Sequence, residues 1–513
     1  MNWIDITRPP DTVRLETEEG VKTLSAAAHM TYGGVSIETD GAAVLLRARG
    51  QKPKTLTFIW RGTMPETARL NGDRWERGYG DFEWQGYRPD RVYPWYFFAV
   101  CGDETALYGV KTGPDALCSF TCTPHEVRLR MDLRSGGAPL IPTGETLRCA
   151  EIVWAVKKGA SPFSAARELT RALCGNGVFP SEPVYGYNNW YYAYGKSSAE
   201  ETLRSAEELS SLTKGLKHRP FLVIDDCWQF NRPTGYIGGE WRRSNVDFPD
   251  MAALAEQISA QDLKPGLWFR PLQNRDASVT PDMLLDPAED ILDPSHPDVL
   301  ALIRGDVQTF VQWGYRLIKH DYTTFDLNGG RWGFSLGADL CADGVRYSDG
   351  TKTTAQIVKN LYRTIYEAAQ GKALILGCNC IPHLGAGHME LNRTGDDTSG
   401  RDWERTRKMG INTLAFRMPQ HGAFYAADAD CVGITPAVPW EKNRQWLELL
   451  SLSGTPLFIS VAPGTLRKEQ YEDIRAAFTA ASESRAAGEP LDWMNNACPE
   501  RWRLDGKTVT FDW

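Results

Sequence analysis

The 513 residues exceed the usual size of one domain and predict about three, although a single barrel can occupy about 250 of them. A charged fraction of 24% and a hydrophobic fraction of 42% are typical of a soluble globular protein and exclude a disordered chain, a collagen and a coiled coil. The formal net charge is −8 and no run of basic residues offers a surface to a phosphate backbone, so we expect no nucleic-acid partner.

The start of the chain has no apolar core of a signal peptide, and nowhere do about 18 apolar residues follow one another. We therefore expect no membrane partner and a cytoplasmic location. The 11 cysteines are scattered along the chain, whereas a secreted disulfide-stapled domain is small and dense in cysteine. Reduced thiols are the expectation.

A metal site is not predicted. Cys378 and Cys380 form a Cys-x-Cys pair without a second cluster or a histidine pair at zinc spacing, so buried structural thiols are favoured and no cofactor is expected. The alternative is that His383, His388 and His421 bind the metal of a barrel hydrolase.

Residues 1–160 have the pattern of an antiparallel β-sandwich domain. Short segments of alternating hydrophobicity are separated by Gly, Pro and Asp, as at 43–47, 55–60, 126–133 and 147–156. Residues 161–182 then predict a linker helix, because apolar residues recur at helical spacing until a stop at Gly175.

From residue 183 to residue 482, short apolar runs alternate with amphipathic stretches of about 10–15 residues, the pattern of successive βα units. The eight predicted strands are 184–189, 220–225, 264–270, 315–321, 373–378, 388–393, 412–416 and 456–460. Eight such units predict a (β/α)8 barrel of the α/β class, with a doubly wound open sheet as the alternative. Residues 483–513 have room for a short C-terminal β segment only.

In such a barrel the active face lies at the carboxyl ends of the strands. The polar and aromatic residues predicted there are Asn188, Asn189, Trp190, Asp225, Asp226, Trp228, Trp268, Arg270, Lys319, Asp321, Cys378, Asn379, Arg393, Asp396 and Asp397. Carboxylates recur after strands 2, 4 and 6, which are the candidate centres for chemistry.

Lys319 and Asp321 are two residues apart on one strand and so point to the same face. The ammonium group favours the ionised form of the carboxylate, which a carboxylate nucleophile requires. The alternative is a structural ion pair at a strand end.

The segment 393–400 presents Asp396 and Asp397 in a loop rich in Gly, Ser and Thr. Adjacent acids raise each other's pKa while Arg393 can hold one of them ionised, so one can serve as a proton donor. An Asx turn or a helix N-cap is the alternative.

Asp225 and Asp226 lie close in sequence to Trp228 and Trp241, which indicates a floor that binds hydroxyl groups between aromatic rings, or else a turn. Three carboxylate centres, one lysine and several tryptophans favour glycoside chemistry, in which two acids flank the bond that breaks. The chain has no serine nucleophile elbow, no phosphate loop and no G-x-G-x-x-G after a strand, so esterase, kinase and dehydrogenase functions are excluded.

At these residues the chain resembles the retaining α-galactosidase clan, glycoside hydrolase families 27 and 36. Val-Ile-Asp-Asp-Cys-Trp (223–228), Gly-Gly-Glu-Trp (238–241), Lys-Pro-Gly-Leu-Trp (264–268) and Leu-Ile-Lys-His-Asp (317–321) follow the order of motifs in that clan. Residues 72–80 resemble the family 36 loop that reaches from the β-domain to the sugar pocket.

The resemblance implies Asp321 as nucleophile and Asp397 as acid/base, since Arg393 precedes Asp397 by the four residues of the clan motif; alignment on the Gly-Asp step selects Asp396 instead. The implied activity is hydrolysis of a terminal α-linked galactose from an oligosaccharide or glycoside by double displacement, without a cofactor. The implied substrate-binding residues are Asp225, Asp226, Lys319, Trp190, Trp228, Trp241, Trp268, Cys378, Asn379 and Arg393.

The chain departs from the clan at Gly-Cys-Asn-Cys-Ile-Pro (377–382), which replaces the family 36 segment near C2 of the sugar, and in its short C-terminal region. An α-N-acetylgalactosaminidase, another α-glycosidase and a transglycosylase therefore remain alternatives, as does a sugar-binding barrel without catalysis. A homo-oligomer is a further expectation.

Overall fold

The structure is a computed structural model that describes residues 2–230, 238–286, 288, 290–337, 339–341 and 343–513. An antiparallel β-sandwich comes first, a (β/α)8 barrel follows, and a small sheet ends the chain, which confirms the predicted fold class. In the described part of the chain, none of the helices combines the length and apolar character needed to cross a membrane.

Two antiparallel sheets form the sandwich, and each strand turns alternate side chains toward the space between them. In Glu126–Asp132, for example, Val127, Leu129 and Met131 are buried. One sheet has the spatial order Gly20–Leu24, Thr12–Thr17, Pro53–Arg61, Glu126–Asp132, Leu117–Thr123 and Tyr93–Pro94. The other has the order His29–Tyr32, Val35–Thr39, Ala43–Ala48, Thr146–Lys158, Glu104–Val110, Tyr96–Cys101 and Arg69–Gly72.

A linker helix, Pro162–Thr170, leads from the sandwich to the barrel. The Ser161 side chain caps it by accepting a hydrogen bond from the Ser164 amide, and the 3₁₀ turn Arg171–Leu173 ends it. At the other end of the chain, Glu489–Pro490, Arg501–Leu504 and Lys507–Thr510 form a three-stranded antiparallel sheet.

Parallel strands form the barrel, and we number them 1 to 8 in chain order. They are Tyr185–Asn188, Phe221–Ile224, Lys264–Phe269, Leu317–His320, Leu374–Gly377, Leu391–Arg393, the two-part strand Ala426–Asp428 with Cys431–Ile434, and Leu457–Val461. Strand 8 pairs with strand 1 in parallel, so the sheet returns on itself.

The predicted seventh strand, 412–416, is wrong, because the helix Thr413–Arg417 occupies that segment. Residues 411–416 are all buried, so their apolar run lacks the periodicity that separates a helix from a strand. The true strand 7 is short and interrupted at Asp430, whose φ of 72° is left-handed. Its first part pairs with strand 6 and its second part with strand 8, which closes the barrel.

Helices surround the strands, and side chains at their N-termini fix where several of them begin. Ser198 and Thr353 each accept a hydrogen bond from an amide of the first helical turn. The helices are Trp190–Ala193, Ala199–Leu212, Met251–Ala260, Pro297–Trp313, Thr323–Leu327, Thr354–Ala368, Pro382–Gly385, Trp403–Thr406, Thr413–Arg417, Trp440–Leu452 and Lys468–Ala481, with a π-helical segment Arg407–Asn412 and short 3₁₀ turns Pro281–Met283, Gly333–Ser335 and Met418–Gln420.

A buried ion pair joins the sandwich to the barrel. The Asp73 Oδ1 atom accepts hydrogen bonds from Nε of Arg417 at 3.0 Å and from Nη2 at 2.7 Å, and its Oδ2 atom accepts from Gln420 at 2.7 Å. Both charged side chains are 1% exposed. Because both charged groups are shielded from solvent and neutralise each other, this pair fixes how the loop after Arg69–Gly72 meets the barrel.

We expect Asp73→Ala to lower the free energy of unfolding by about 3–5 kcal/mol, because it leaves the Arg417 guanidinium buried without its carboxylate. Urea-induced unfolding followed by tryptophan fluorescence measures the change. The control Asp90→Ala removes an exposed pair with Arg88 and should cost less than about 1 kcal/mol. Equal costs for the two variants would contradict the role given to Asp73.

Candidate active site

Two buried aspartates follow strand 2. Asp225 accepts hydrogen bonds from Nζ of Lys319 at 2.7 Å and from Nδ2 of Asn188 at 2.7 Å. Its carboxylate therefore joins side chains from strands 1, 2 and 4 at the carboxyl ends of the strands.

The second of these aspartates, Asp226, accepts hydrogen bonds from Nε2 of Gln229 and from the Cys227 amide, both at 2.7 Å. Burial raises the pKa of Asp226 to about 7; Gln229 opposes this rise and the Asp225 carboxylate adds to it. A raised pKa favours the protonated carboxyl, which can donate a hydrogen bond to a hydroxyl group as well as accept one.

Lys319 forms its ion pair with Asp225, not with Asp321 as the strand pattern alone suggests. Burial acts to lower the pKa of Lys319, but the Asp225 carboxylate outweighs burial and the pKa is raised well above its usual value. Lys319 therefore stays charged, and Asp321 is among the carboxylates that contribute to this.

Asp321 follows strand 4 directly and is 8% exposed. Its Oδ2 atom accepts a hydrogen bond from the Trp268 indole at 3.2 Å, and its Oδ1 atom accepts one from the Tyr322 amide at 2.7 Å. Tyr322 itself has a φ of 62°, a conformation that is costly for a bulky residue and that clusters at functional sites. Donors from two strand ends thus fix the direction of the carboxylate.

At the end of strand 6, the buried Arg393 holds the loop that follows the strand. Its Nη2 atom donates to Asp430 at 2.7 Å and to Asp397 at 3.2 Å. Asp430 also accepts hydrogen bonds from the Thr398 amide at 2.9 Å and from the Tyr191 hydroxyl. The loop is therefore tied to the interrupted strand 7.

The two adjacent acids of this loop differ in their surroundings. Asp396 has both oxygens in ion pairs, with Arg77 at 2.7 Å and Arg405 at 2.7 Å, and its side chain is 16% exposed. The contacts described for Asp397 fall on Oδ1, from Arg393 at 3.2 Å and Arg77 at 3.9 Å, and its side chain is 37% exposed. Asp397 is thus the more accessible to a ligand.

The loop 72–80 of the sandwich reaches these strand ends. The Gly78 amide donates to the Thr394 carbonyl at 2.9 Å, and the Asp396 amide donates to the Gly78 carbonyl at 2.9 Å. This backbone pairing brings Glu76 and Arg77, both buried, beside the acidic loop. The β-domain therefore supplies one wall of the site.

Glu76 binds two other segments of this wall and a residue of its own loop. It accepts hydrogen bonds from Nδ2 of Asn379, from the Gly333 amide at 2.5 Å and from the Tyr79 hydroxyl. Burial raises the pKa of Glu76, and the Arg77 guanidinium opposes that rise. These contacts link the sandwich loop to the loops after strands 4 and 5.

The segment after strand 5 contains two predicted site residues with different surroundings. The Sγ atom of Cys378 lies 3.5 Å from Nη1 of Arg393 and 3.8 Å from Nη1 of Arg77, and burial raises the pKa of its thiol well above the usual value. Asn379 is fully buried, and its Oδ1 atom accepts a hydrogen bond from the Phe325 amide at 3.0 Å. With its amide nitrogen bound to Glu76, Asn379 acts as a tie between loops.

The four predicted tryptophans separate into two pairs. Trp268 contacts Asp321, and Trp190 is half-buried at the end of strand 1. Trp228 and Trp241 are buried, as Trp268 is, but their indole groups donate to the backbone carbonyls of Trp268 at 2.8 Å and Gln273 at 2.9 Å. The structure places this second pair in the core, where Trp228 packs against Phe310 and Trp313.

Strand 7 supplies two carboxylates that the sequence argument missed, Asp428 and Asp430. Burial raises the pKa of Asp428 to about 6, with Arg393 opposing and Asp430 adding to the effect. Both line a 20 Å³ cavity with Lys319 and Arg393, large enough for one water molecule. In the sequence, Asp428-Ala429-Asp430 places two alternating aspartates in an apolar stretch, which could have indicated these site residues. They were missed because strand 7 was predicted at 412–416.

A metal site does not emerge from the geometry. Within the described ranges, no group of three or more His, Cys, Asp or Glu side chains is placed to hold a metal ion. His383 stacks on Trp95 at 4.8 Å between ring centroids, and its Nε2 atom lies 2.9 Å from the Val110 carbonyl. His421 accepts a hydrogen bond from the Ala427 amide.

No protein-family model matches the chain. Among solved structures, it is similar to the α-galactosidase of Thermus thermophilus in complex with p-nitrophenyl α-D-galactopyranoside, with a TM-score of 0.62, 17% identity, and coverage of 94% of this chain and 99% of that one. It is also similar to a variant of a family 36 α-galactosidase of Geobacillus stearothermophilus in complex with stachyose (TM-score 0.60, 15% identity, coverage 91% and 75%). A third is the galactosidase domain of an α-galactosidase–sucrose kinase (TM-score 0.58, 15% identity, coverage 90% and 68%). At the level of the fold, the predicted resemblance to the α-galactosidase clan is confirmed.

Proposed function

We propose that this protein is a retaining, exo-acting α-glycosidase, and specifically an α-galactosidase that hydrolyses a terminal α-linked galactose. The proposal rests on one observation. Asp321 and Asp397 follow the carboxyl ends of strands 4 and 6, so both lie at the same end of the barrel. Burial is the largest cause of the raised pKa of Tyr322, and the Asp321 and Asp397 carboxylates add to it.

In the first step of this mechanism, an oxygen of Asp321 attacks the anomeric carbon while Asp397 gives a proton to the leaving oxygen, and the glycosidic bond breaks. A covalent glycosyl ester forms on Asp321. In the second step Asp397 takes a proton from water, whose oxygen attacks the same carbon and releases both the sugar and the Asp321 carboxylate. Two inversions give net retention, and the two carboxyl groups should lie about 5–5.5 Å apart.

The surroundings of Asp397 suit both of its roles. Burial acts to raise its pKa, while Arg393 and Arg77 outweigh burial and hold the pKa below its usual value. A bound substrate that covers the exposed part of Asp397 raises this pKa, which favours the protonated acid. Esterification of Asp321 then removes a nearby negative charge and lowers the pKa again, which favours the base.

The sugar would lie between the strand ends that hold these acids. We propose Asp225, Asp226, Lys319, Trp190, Trp268, Cys378 and Arg393 as the residues around it, and Asn379 as a support for the pocket wall. The indole groups of Trp228 and Trp241 donate to backbone carbonyls, which supports packing roles for those two side chains.

Product analysis on a panel of p-nitrophenyl glycosides tests the proposal. The α-galactoside should be hydrolysed fastest, ahead of the α-N-acetylgalactosaminide and the α-glucoside, and ¹H NMR should detect the α-anomer of the sugar first. The β-anomer first would mean inversion. Faster hydrolysis of another glycoside would indicate an α-N-acetylgalactosaminidase or another α-glycosidase. Transfer of the sugar to a sugar acceptor would indicate a transglycosylase. Sugar binding detected by calorimetry, without hydrolysis, would indicate a sugar-binding protein.

The pH dependence of an Arg77 variant tests the proposal that Asp397 is the proton donor. We expect Arg77→Met to move the alkaline limb of the kcat/KM profile to higher pH, because loss of a cation 3.9 Å from Asp397 raises the pKa of the proton donor. The matched control Arg405→Met removes the other partner of Asp396 and should move the limb less. A shift to lower pH, or equal shifts in the two variants, would contradict the assignment.

We also propose a cytoplasmic location. The 11 cysteines are free thiols in the structure, which supports a reducing compartment.

A further inference from the structure

An aromatic rim lies at the mouth of the candidate site, and we define it as Tyr79, Trp332 and Phe334. The rings of Tyr79 and Phe334 meet edge to face, with 5.1 Å between centroids and an angle of 87°. The Arg77 guanidinium lies over the Trp332 ring at 5.3 Å and over the Tyr79 ring at 5.9 Å. Arg77 therefore connects Trp332 and Tyr79 to the site, and Phe334 joins them through its contact with Tyr79.

Arg77 also shows on which side of the site the rim stands. Its other contacts include Asp396 at 2.7 Å and Asp397 at 3.9 Å, so the rim is next to the proposed acid. An acid that protonates the leaving oxygen must lie on the side of the leaving group. The rim is therefore on the path of the group that departs.

Glu76 holds the rim in place. Its buried carboxylate accepts a hydrogen bond from the Tyr79 hydroxyl and another from the Gly333 amide, next to Phe334. A Cβ atom at residue 333 would overlap the Glu76 side chain, so the close approach requires glycine there. Tyr79 comes from the β-sandwich domain, whereas Trp332 and Phe334 come from the barrel, and Glu76 binds both parts of the rim. Because the rings are held in place before a ligand binds, less conformational entropy is lost on binding.

Phe334 leaves an aromatic surface open at this position. Its side chain is 69% exposed, and the other exposed phenylalanine in the described ranges, Phe179 at 43%, lines a cavity at the opposite, amino-terminal end of the barrel strands. A single exposed ring is ordinary. An exposed ring that is braced by a second ring beside a catalytic acid, however, has the form of a ligand platform.

We propose that the aromatic rim is the leaving-group subsite of this enzyme and binds a ring with an apolar face, either the pyranose of a second sugar or an aryl group. This inference rests on the proposed function and adds the chemical class of the aglycone. Contact between the rim and the departing ring strengthens binding of substrates that have one, and a substrate whose leaving group is a single atom gains nothing from it.

The test compares Phe334→Ala with the parent protein on three substrates: an α-galactosyl disaccharide with a pyranose leaving group, p-nitrophenyl α-galactoside, and α-galactosyl fluoride. We expect kcat/KM to fall about tenfold for one or both ring substrates, the effect of losing one ring contact, and less than twofold for the fluoride. A loss for only one ring substrate would identify which kind of ring the rim binds. The control Phe179→Ala should leave all three values unchanged, and thermal unfolding checks that both variants fold.

An equal loss on all three substrates, or no loss on the ring substrates, would overturn the subsite. Failure of the proposed function has a different signature, because the parent protein would then hydrolyse none of the three substrates. Activity of the parent with an unaffected Phe334→Ala variant would reject the rim alone.

Discussion

Asp321→Ala should reduce kcat for an aryl α-galactoside by at least about four orders of magnitude while the protein remains folded. Among the described residues, no other carboxylate of the site is bound in the same way, with Trp268 and the Tyr322 amide each donating to one of its oxygens. Initial rates at saturating substrate, with Asp512→Ala as a control at a carboxylate that is 98% exposed, measure the effect. A variant with a near-normal kcat would reject Asp321 as nucleophile.

Azide adds a stereochemical readout to this variant. With the Asp321 side chain gone, azide can attack the anomeric carbon from the vacated side, and a single inversion yields the β-glycosyl azide. Formation of the α-glycosyl azide by Asp321→Ala would mean that the nucleophile is still present and lies elsewhere.

Asp397→Ala should reduce kcat/KM by about 10²–10⁴-fold for a disaccharide and much less for an activated aryl galactoside. A sugar alcohol needs a proton to depart, whereas p-nitrophenolate leaves readily without one. Azide should restore turnover by replacing water in the second step, and because the Asp321 ester is still formed, the product should be the α-glycosyl azide.

The adjacent acid provides the matched control. Asp396→Ala removes a carboxylate whose two oxygens are occupied by Arg77 and Arg405, so we expect no dependence on the leaving group and no azide rescue. Azide rescue in Asp396→Ala and not in Asp397→Ala would assign the acid/base role to Asp396 instead.

The sequence was sufficient to predict the β-sandwich, the barrel and the order of most strands and helices. Hydrophobic periodicity is visible in the sequence wherever a strand or helix has one exposed face. It failed at 412–416, since that helical segment is buried on all sides and resembles a strand. The true strand 7 has two aspartates in a short segment and a left-handed residue at Asp430, and neither feature is a strand signal.

Side-chain partners were harder to predict than positions. The two-residue alternation placed Lys319 and Asp321 on one face, but the ammonium binds Asp225 from strand 2, a contact set by barrel closure and not by local sequence. Trp228 and Trp241 are close in sequence to the acidic pair, yet their indole groups satisfy carbonyls in the core. The ties made by Glu76 join loops that are about 250 to 300 residues apart, a separation that no local pattern encodes.

The most direct measurement is a crystal structure of the protein after reaction with 5-fluoro-α-galactosyl fluoride, which slows release of the covalent intermediate. We predict a β-linked sugar ester on Asp321, with a carboxylate oxygen of Asp397 on the opposite face of the ring near the anomeric carbon. An adduct on another residue, or one from which Asp397 is separated by protein, would contradict the mechanism.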